Sequence, residues 1–353
     1  MTGKPLVAGV GMTKFSKPGQ SEPWDAMAVR AAGAALADAG IAYRDVEQAY
    51  VGFVYANTTS GQSILYQLGM TGIPIVNVNN ACATGSTALF MARQSVESGA
   101  VEVALALGFE QMGQGALKPV FTTPPAVDRL GEVRTKLLEP APEVPYAAQL
   151  FGAAGVEYQA KHGMQTSSFA RVEVKARRHA VNNPLALFNS PLTIDEVLAS
   201  PRLYGPLTRY QACAPTCGAA AAVVVSPGFA RRRGLSRLVE LAGQALTSDA
   251  PVTITEPSMI TIVGSDMTRR ASRAVYEQVG VGPEDVQVVE LHDCFTSAEV
   301  IFSEALGLCP EGEFERFLLE GDNTYGGRYV VNPSGGLLSK GHPTRGYRSR
   351  AVL

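Results

Sequence analysis

Two cysteines and two histidines stand in surroundings that suit chemistry. Cys82 lies in NNACATGSTALF, His292 and Cys294 in ELHDCF, and His342 in SKGHP. A β-branched run before Cys82 and small residues after it predict a thiol at a helix N-terminus, where unpaired N–H groups and the helix dipole favour thiolate. A buried, inert small-residue cysteine is the alternative at that position. The Ala, Gly and Ser around Cys82 weigh for function, because a nucleophile needs room for an acyl group. His292 and Cys294 follow the apolar run Val286–Leu291, which predicts a place at the carboxyl end of a strand, the edge where open α/β sheets collect ligands. The competing reading there is a histidine satisfied by a neighbouring carbonyl. His342 sits between Gly341 and Pro343 and after Gly335-Gly336, in backbone both permissive and constrained; a plain surface turn is its alternative. His162 and His179 read as solvated residues on polar helices.

No pair among these residues has a metal-ligand spacing such as Cys-x-x-Cys or His-x-x-x-His. Acyl transfer explains them better. One thiolate attacks a carbonyl, one thiol moves a proton, and the imidazoles activate the thiol or hydrogen-bond to the oxyanion.

Strands and helices must place these groups. The sequence predicts strands at Leu6–Val10, Ala49–Phe53, Pro74–Asn79, Val101–Leu107, Ala219–Val225, Leu238–Leu241 and Val286–Leu291. Helices are predicted at Trp24–Ala39, 85–98, 146–162 and 167–182, and Thr193 with Glu196 makes a capping pattern. Alternation of this kind predicts a mainly parallel sheet covered on both faces. The stretch ALADAGIAYRDVEQAYV (35–51) aligns without a gap on VYEQVGVGPEDVQVVEL (275–291), so that Gly40 meets Gly280 and Asp45 meets Asp285. Two similar halves are therefore expected: 1–111 with 206–230, and 231–353, separated by an inserted region, 112–205, that opens Pro-rich (Pro119, Pro124, Pro125, Pro140, Pro142, Pro145).

At 353 residues the chain exceeds one ordinary core, and 36 glycines with 18% charged residues suit a globular α/β protein. A net charge of −2 gives no general attraction to nucleic acid or anionic membranes. The amino terminus lacks a leader-like pattern and no apolar stretch is long enough to span a bilayer, which predicts a soluble, cytoplasmic protein. Five cysteines, an odd number, predict free thiols rather than a disulfide framework.

The chain resembles the thiolase superfamily, and within it the sterol-carrier-protein type. The resemblance rests on GVGMTKFSKPG (9–19), GMTGIPIVNVNNACATGSTALFMARQ (69–94), ALGFEQMGQGAL (106–117), ELHDCF (290–295), EALGLCPEG (304–312) and GDNTYGGRYVVNPSGGLLSKGHP (321–343). It implies the thiolase fold: two duplicated βαβαβαββ halves in a layered αβαβα sandwich with an inserted loop domain. It implies Cys82 as the acyl-accepting nucleophile, His342 as its activator, His292 as an oxyanion partner where other thiolases carry asparagine, and Cys294 as the general acid/base. The implied reaction is thiolytic cleavage of a 3-oxoacyl-CoA, of fatty-acid or sterol side-chain origin, with coenzyme A as co-substrate, no tightly bound cofactor and a homodimeric assembly. A steroid side-chain retro-aldolase with an OB-fold partner is the related alternative; Cys82 and Cys294 count against it.

Two departures stand out. The family commonly reads PTSDGAAAA where this chain reads PTCGAAAA (215–222); nothing in the sequence assigns that change a consequence. After GHP the family continues LGATGLAQ, whereas this chain reads TRGYRSRAVL. One set of codons for Thr344 to Leu353, read one base on, gives Leu-Gly-Ala-Thr-Gly-Leu-Ala-Gln-Cys. The resemblance therefore implies that 344–353 belong to a shifted frame and that the second half is incomplete, which brings in a third reading, an inactive acyl-CoA-binding relative.

Overall fold

The computed structural model describes residues 3–113 and 127–343. Part of the Pro-rich stretch (Pro119, Pro124 and Pro125) and the tail 344–353 lie outside the described residues. The chain divides into two compact units, one of 1–116 with 215–246 and one of 117–214 with 247–353.

The first unit is built on six strands: β1 (Leu6–Met12), β2 (Gln48–Gly52), β3 (Ile75–Val78), β4 (Val103–Glu110), β5 (Gly218–Val225) and β6 (Val239–Glu240). Their order is β3-β2-β4-β5-β1-β6. β2 pairs parallel with β3 and β4, whereas β5 runs antiparallel to both β4 and β1, and β6 antiparallel to β1. The sheet is thus mixed and not mainly parallel. The difference comes from β5, which re-enters from the long intervening segment in the opposite direction and fills the gap between β1 and β4.

Two helices cover this sheet. Ala104 and Ala106 of β4 pack with Ala88, Ala92 and Val96 of α2 (Thr84–Glu97). The alternate residues Val103, Leu105 and Leu107 are equally buried and point to the other face by the period of two, where α1 (Trp24–Ala39) lies against β1, β4 and β5. That contact is very close. A Cβ at Gly9 or Gly11 would stand 2.3 Å from Ala39 N or 2.2 Å from Ala31 O, so glycines in β1 and the buried alanines of α1 are one adaptation. α1 ends on Gly40 in the left-handed conformation (φ 68°), its N–H returning to Ala37 O.

The second unit contains α3 (Tyr146–His162), α4 (Thr166–Ala180), α5 (Ser265–Val279) and α6 (Thr296–Ala305). α5 repeats the ending of α1, with Gly280 left-handed at φ 75° and a short turn, Pro283–Asp285, in the place that Tyr43–Asp45 takes in the first unit. β7 (Val288–Val289) then pairs parallel with β8 (Val330–Val331). Among the described residues this two-stranded pairing replaces the longer strand expected over Val286–Leu291. The core is helical, built from Phe169, Val172 and Ala176 of α4 and Ala298, Val300 and Ile301 of α6, with Phe295 and Phe314.

α4 and α6 also bury charge. Lys175 pairs with Glu299, whose Oε1 further accepts Asn323 Nδ2 at 3.1 Å, and Lys175 Nζ donates to Val331 O at 3.3 Å. Arg177 Nε holds Glu173 at 2.7 Å. His179, expected to be solvated, is buried: Nδ1 lies 3.0 Å from Asn332 O and Nε2 2.7 Å from Thr324 Oγ1. The expectation failed because its partners come from a loop some 150 residues on. His162 is partly exposed.

Candidate active site

In the first unit Cys82 falls in a short 3-10 turn, Ala81–Ala83, that leads straight into α2. The turn is tightly set. Ala81 takes φ 45°, uncommon for a residue with a side chain. Thr84 clamps it from the helix side, its Oγ1 donating to Ala81 O at 2.7 Å and accepting Asn80 N at 2.7 Å. Backbone held in this region marks a position that the surroundings over-determine. Nearby, Glu110 is buried at the end of β4 and accepts N–H bonds from Val54 (2.9 Å), Tyr55 (3.2 Å) and Gln111 (3.2 Å). Burial raises the Glu110 carboxyl above its usual range against those bonds. The Tyr55 phenol is pushed up by burial, then by Glu110 and Cys82.

The second unit brings His292 and His342 together and carries Cys294 two residues after His292. After β7 the chain turns at Leu291, where Asp293 N donates back to Leu291 O (3.1 Å), and this sets His292 and Cys294 on either side of Asp293. Asn332, directly after β8 and at φ 54°, secures the turn: its N–H donates to Val289 O (2.7 Å) and its Oδ1 accepts Leu291 N (2.8 Å). The chain then passes Gly335 into α7 (Gly336–Lys340) and reaches Gly341 and His342. The segment 212–214 binds both sides. Cys213 N donates to Cys294 O at 3.0 Å, and His342 N donates to Ala214 O at 2.9 Å.

The two imidazoles meet edge to face, with ring centroids 4.9 Å apart and an interplanar angle of 78°. Burial lowers the His292 imidazole to about 4, so at neutral pH it is uncharged. A neutral imidazole offers one N–H donor and one lone pair, which suits hydrogen bonding to an oxyanion and acceptance of a proton. Cys294 and His342 are buried.

Asp293 was missed by the sequence reading. Fully buried, it accepts Leu337 N at 2.6 Å through Oδ1. Burial first and the Glu299 carboxyl second hold it well above the ordinary aspartate range. Its place between a histidine and a cysteine was the available signal. The PTCGAAAA segment puts Cys217 in a buried pairing with Ser16, N to O at 2.8 Å, with its Sγ near Met112 O, and no consequence of the missing aspartate follows from this.

Comparison with known proteins identifies the class. The family described as Thiolase, N-terminal domain, matches residues 6–197, and that described as Thiolase C-terminal domain-like matches 252–348. The chain belongs to the thiolase family.

Among its relatives, sterol carrier protein 2 of Homo sapiens is 48% identical over 344 residues, covering 96% of this chain and 62% of that protein. The chain therefore spans less than two thirds of the length of this relative. Non-specific lipid-transfer protein-like 2 of Caenorhabditis elegans is 42% identical, covering 96% of this chain and 84% of its own. Benzoylsuccinyl-CoA thiolase subunit BbsB of Thauera aromatica is 37% identical, covering 96% and 85%. The solved Ltp2-ChsH2(DUF35) aldolase superposes with a TM-score of 0.81 at 26% identity, covering 97% of this chain and 87% of that one. Human mitochondrial 3-ketoacyl-CoA thiolase in complex with CoA, at TM-score 0.69 and 16% identity, covers 96% and 87% and shares the fold. Among the described residues no helix is long and apolar enough to cross a membrane.

Proposed function

We propose that this chain is an acyltransferase that cleaves 3-oxoacyl-CoA thiolytically. The Cys82 thiolate adds to the 3-oxo carbon, and the bond between C2 and C3 breaks. The acyl group stays on sulfur, while the departing acetyl- or propionyl-CoA carbanion takes a proton from the Cys294 thiol. The thiol of a second coenzyme A then attacks the acyl-enzyme and restores Cys82. His342 accepts the Cys82 proton and returns it when that thiolate leaves, the coenzyme A thiol gives its proton back to the Cys294 thiolate as it attacks, and neutral His292 donates to the carbonyl oxygen as charge grows there. The His292–His342 ring pair carries this reading, because imidazoles are groups that proton transfer and oxyanion binding require. The named activity of the Thauera relative supports it. The working form in this reading is a homodimer.

A second reading, retro-aldol cleavage of a CoA-linked steroid side chain with an OB-fold partner, is favoured by the likeness to the Ltp2-ChsH2(DUF35) aldolase. Intact-mass measurement after incubation with an acyl-CoA separates the two. Acylation that Cys82→Ala abolishes supports thiolysis; cleavage of an aldol substrate without any acyl adduct on the wild-type chain supports the second reading and refutes the first.

A further inference from the structure

Asp293 stands between two proposed catalytic residues, and its side chain meets the start of α7. Oδ1 accepts the N–H of Leu337, one of the free donors of the first helical turn. Five residues after Leu337 the chain arrives at His342. One carboxyl thus joins the turn that carries His292 and Cys294 to the helix that delivers His342. We propose that Asp293 is a positioning residue, whose carboxyl, clamped on Leu337 N and seated against Gly336, sets the His292 ring against the His342 ring.

The seat is shaped for it. Gly335 and Gly336 have φ of 90° and 60°, and a Cβ at Gly336 would lie 1.9 Å from Asp293 Oδ2 and 2.7 Å from Asn332 Nδ2. The helix start approaches the carboxyl as closely as backbone can. The charges around it argue for geometry and against an electrostatic role. Arg177 and Lys175 of α4 are each paired with another carboxylate, Glu173 and Glu299, and Lys175 offsets the burial of Asp293 only in part. Burial, with the Glu299 carboxyl beside it, disfavours the ionised form of Asp293. Oδ1 is one acceptor held in a fixed place on Leu337 N, which an asparagine amide oxygen reproduces and an alanine does not.

This inference rests on the proposed thiolysis for its kinetic part and is independent of it for its structural part. The chain has 4 histidines, so selective histidine labelling gives readable ring signals and a ring-to-ring NOE between His292 and His342. Asp293→Asn and Asp293→Ala are compared with wild type by that NOE, by circular dichroism, and by kcat and KM for 3-oxoacyl-CoA cleavage. Asp293→Ala is expected to lose the NOE and to lower kcat about thirtyfold with KM within about threefold, as sub-ångström misplacement of catalytic groups does. Asp293→Asn is expected to keep the NOE and stay within about threefold of wild-type kcat. Retention of the NOE in folded Asp293→Ala, or its loss in Asp293→Asn, overturns the inference. If Asp293→Ala does not fold, Asp293→Asn alone decides it on the same criterion. A wild-type chain without thiolytic activity refutes the proposed function, while the NOE comparison still judges the role of Asp293.

Discussion

Asp293 Oδ1 lies 2.6 Å from Leu337 N, and this one bond ties the His292–Cys294 turn to the short helix ahead of His342. Residues from two distant stretches of sequence are therefore held by a contact that neither stretch announces. The consequences can be measured.

His292 should make the protein acid-sensitive before its carboxylates do. Its ring is neutral when folded, with its ionisation lowered to about 4 by burial, while in the unfolded chain it titrates near about 6.5. The unfolded state takes up a proton first, so this contribution to stability is present above about pH 6.5, is lost as pH falls, and is gone by about pH 4. Allowing for the partial exposure of the ring, about 2 kcal/mol is at stake. Urea midpoints for His292→Asn should decline less than wild type over that window; parallel curves would contradict this.

The buried Lys175–Glu299 pair predicts an asymmetric double-mutant cycle. Lys175→Met strands the Glu299 carboxylate and should cost about 3–5 kcal/mol in chemical denaturation. Adding Glu299→Gln removes the stranded charge and should recover at least about half of that loss. Additive losses would mean that the two side chains do not depend on each other.

At Gly336 steric contact and backbone strain can be separated. Gly336→Ala forces a methyl onto the Asp293 carboxyl and should cost at least about 3 kcal/mol. Gly326→Ala, also at positive φ (89°) but with nothing near the new methyl, should cost only about 1–2 kcal/mol. Thermal melts of the two variants side by side provide the check, and equal losses would argue against the tight seat.

Thiol reactivity should be strongly ranked. Cys82 is partly exposed and the other four cysteines are buried. Burial, with Glu304 and Glu313 adding to it, pushes the Cys309 thiol up to about 12, leaving a thiolate fraction on the order of one in ten thousand at pH 8. Iodoacetamide followed by peptide mapping should modify Cys82 first and Cys309 only after denaturation. Early labelling of Cys309 would count against this packing.

Much of the chain was legible where its signals are local. The 3.6 period of Trp24–Ala39 and the glycine after it defined α1, the β-branched run before Asn79 gave β3, and the Thr193–Glu196 capping box formed as the pattern predicts. What stayed hidden depends on partners far along the chain. The direction of β5 is set by a return across the middle of the sequence, and period alone cannot report it. His179 is buried by Asn332 and Thr324, and the charges of α4 are satisfied within the core by Glu299 and Glu173. The four chemically suspect residues stood out by type and neighbours. Asp293 did not, because an aspartate between a histidine and a cysteine reads as one more polar group in a turn.

The placement of β5 also has a meaning for synthesis. It is a central strand, between β4 and β1, yet it lies more than a hundred residues after β4. At about 5–20 residues per second, a ribosome needs on the order of ten seconds to pass from one to the other. During that interval β1 and β4 each present an open, hydrogen-bond-hungry edge to the cell. The window in which this chain most needs a chaperone is written into its strand order.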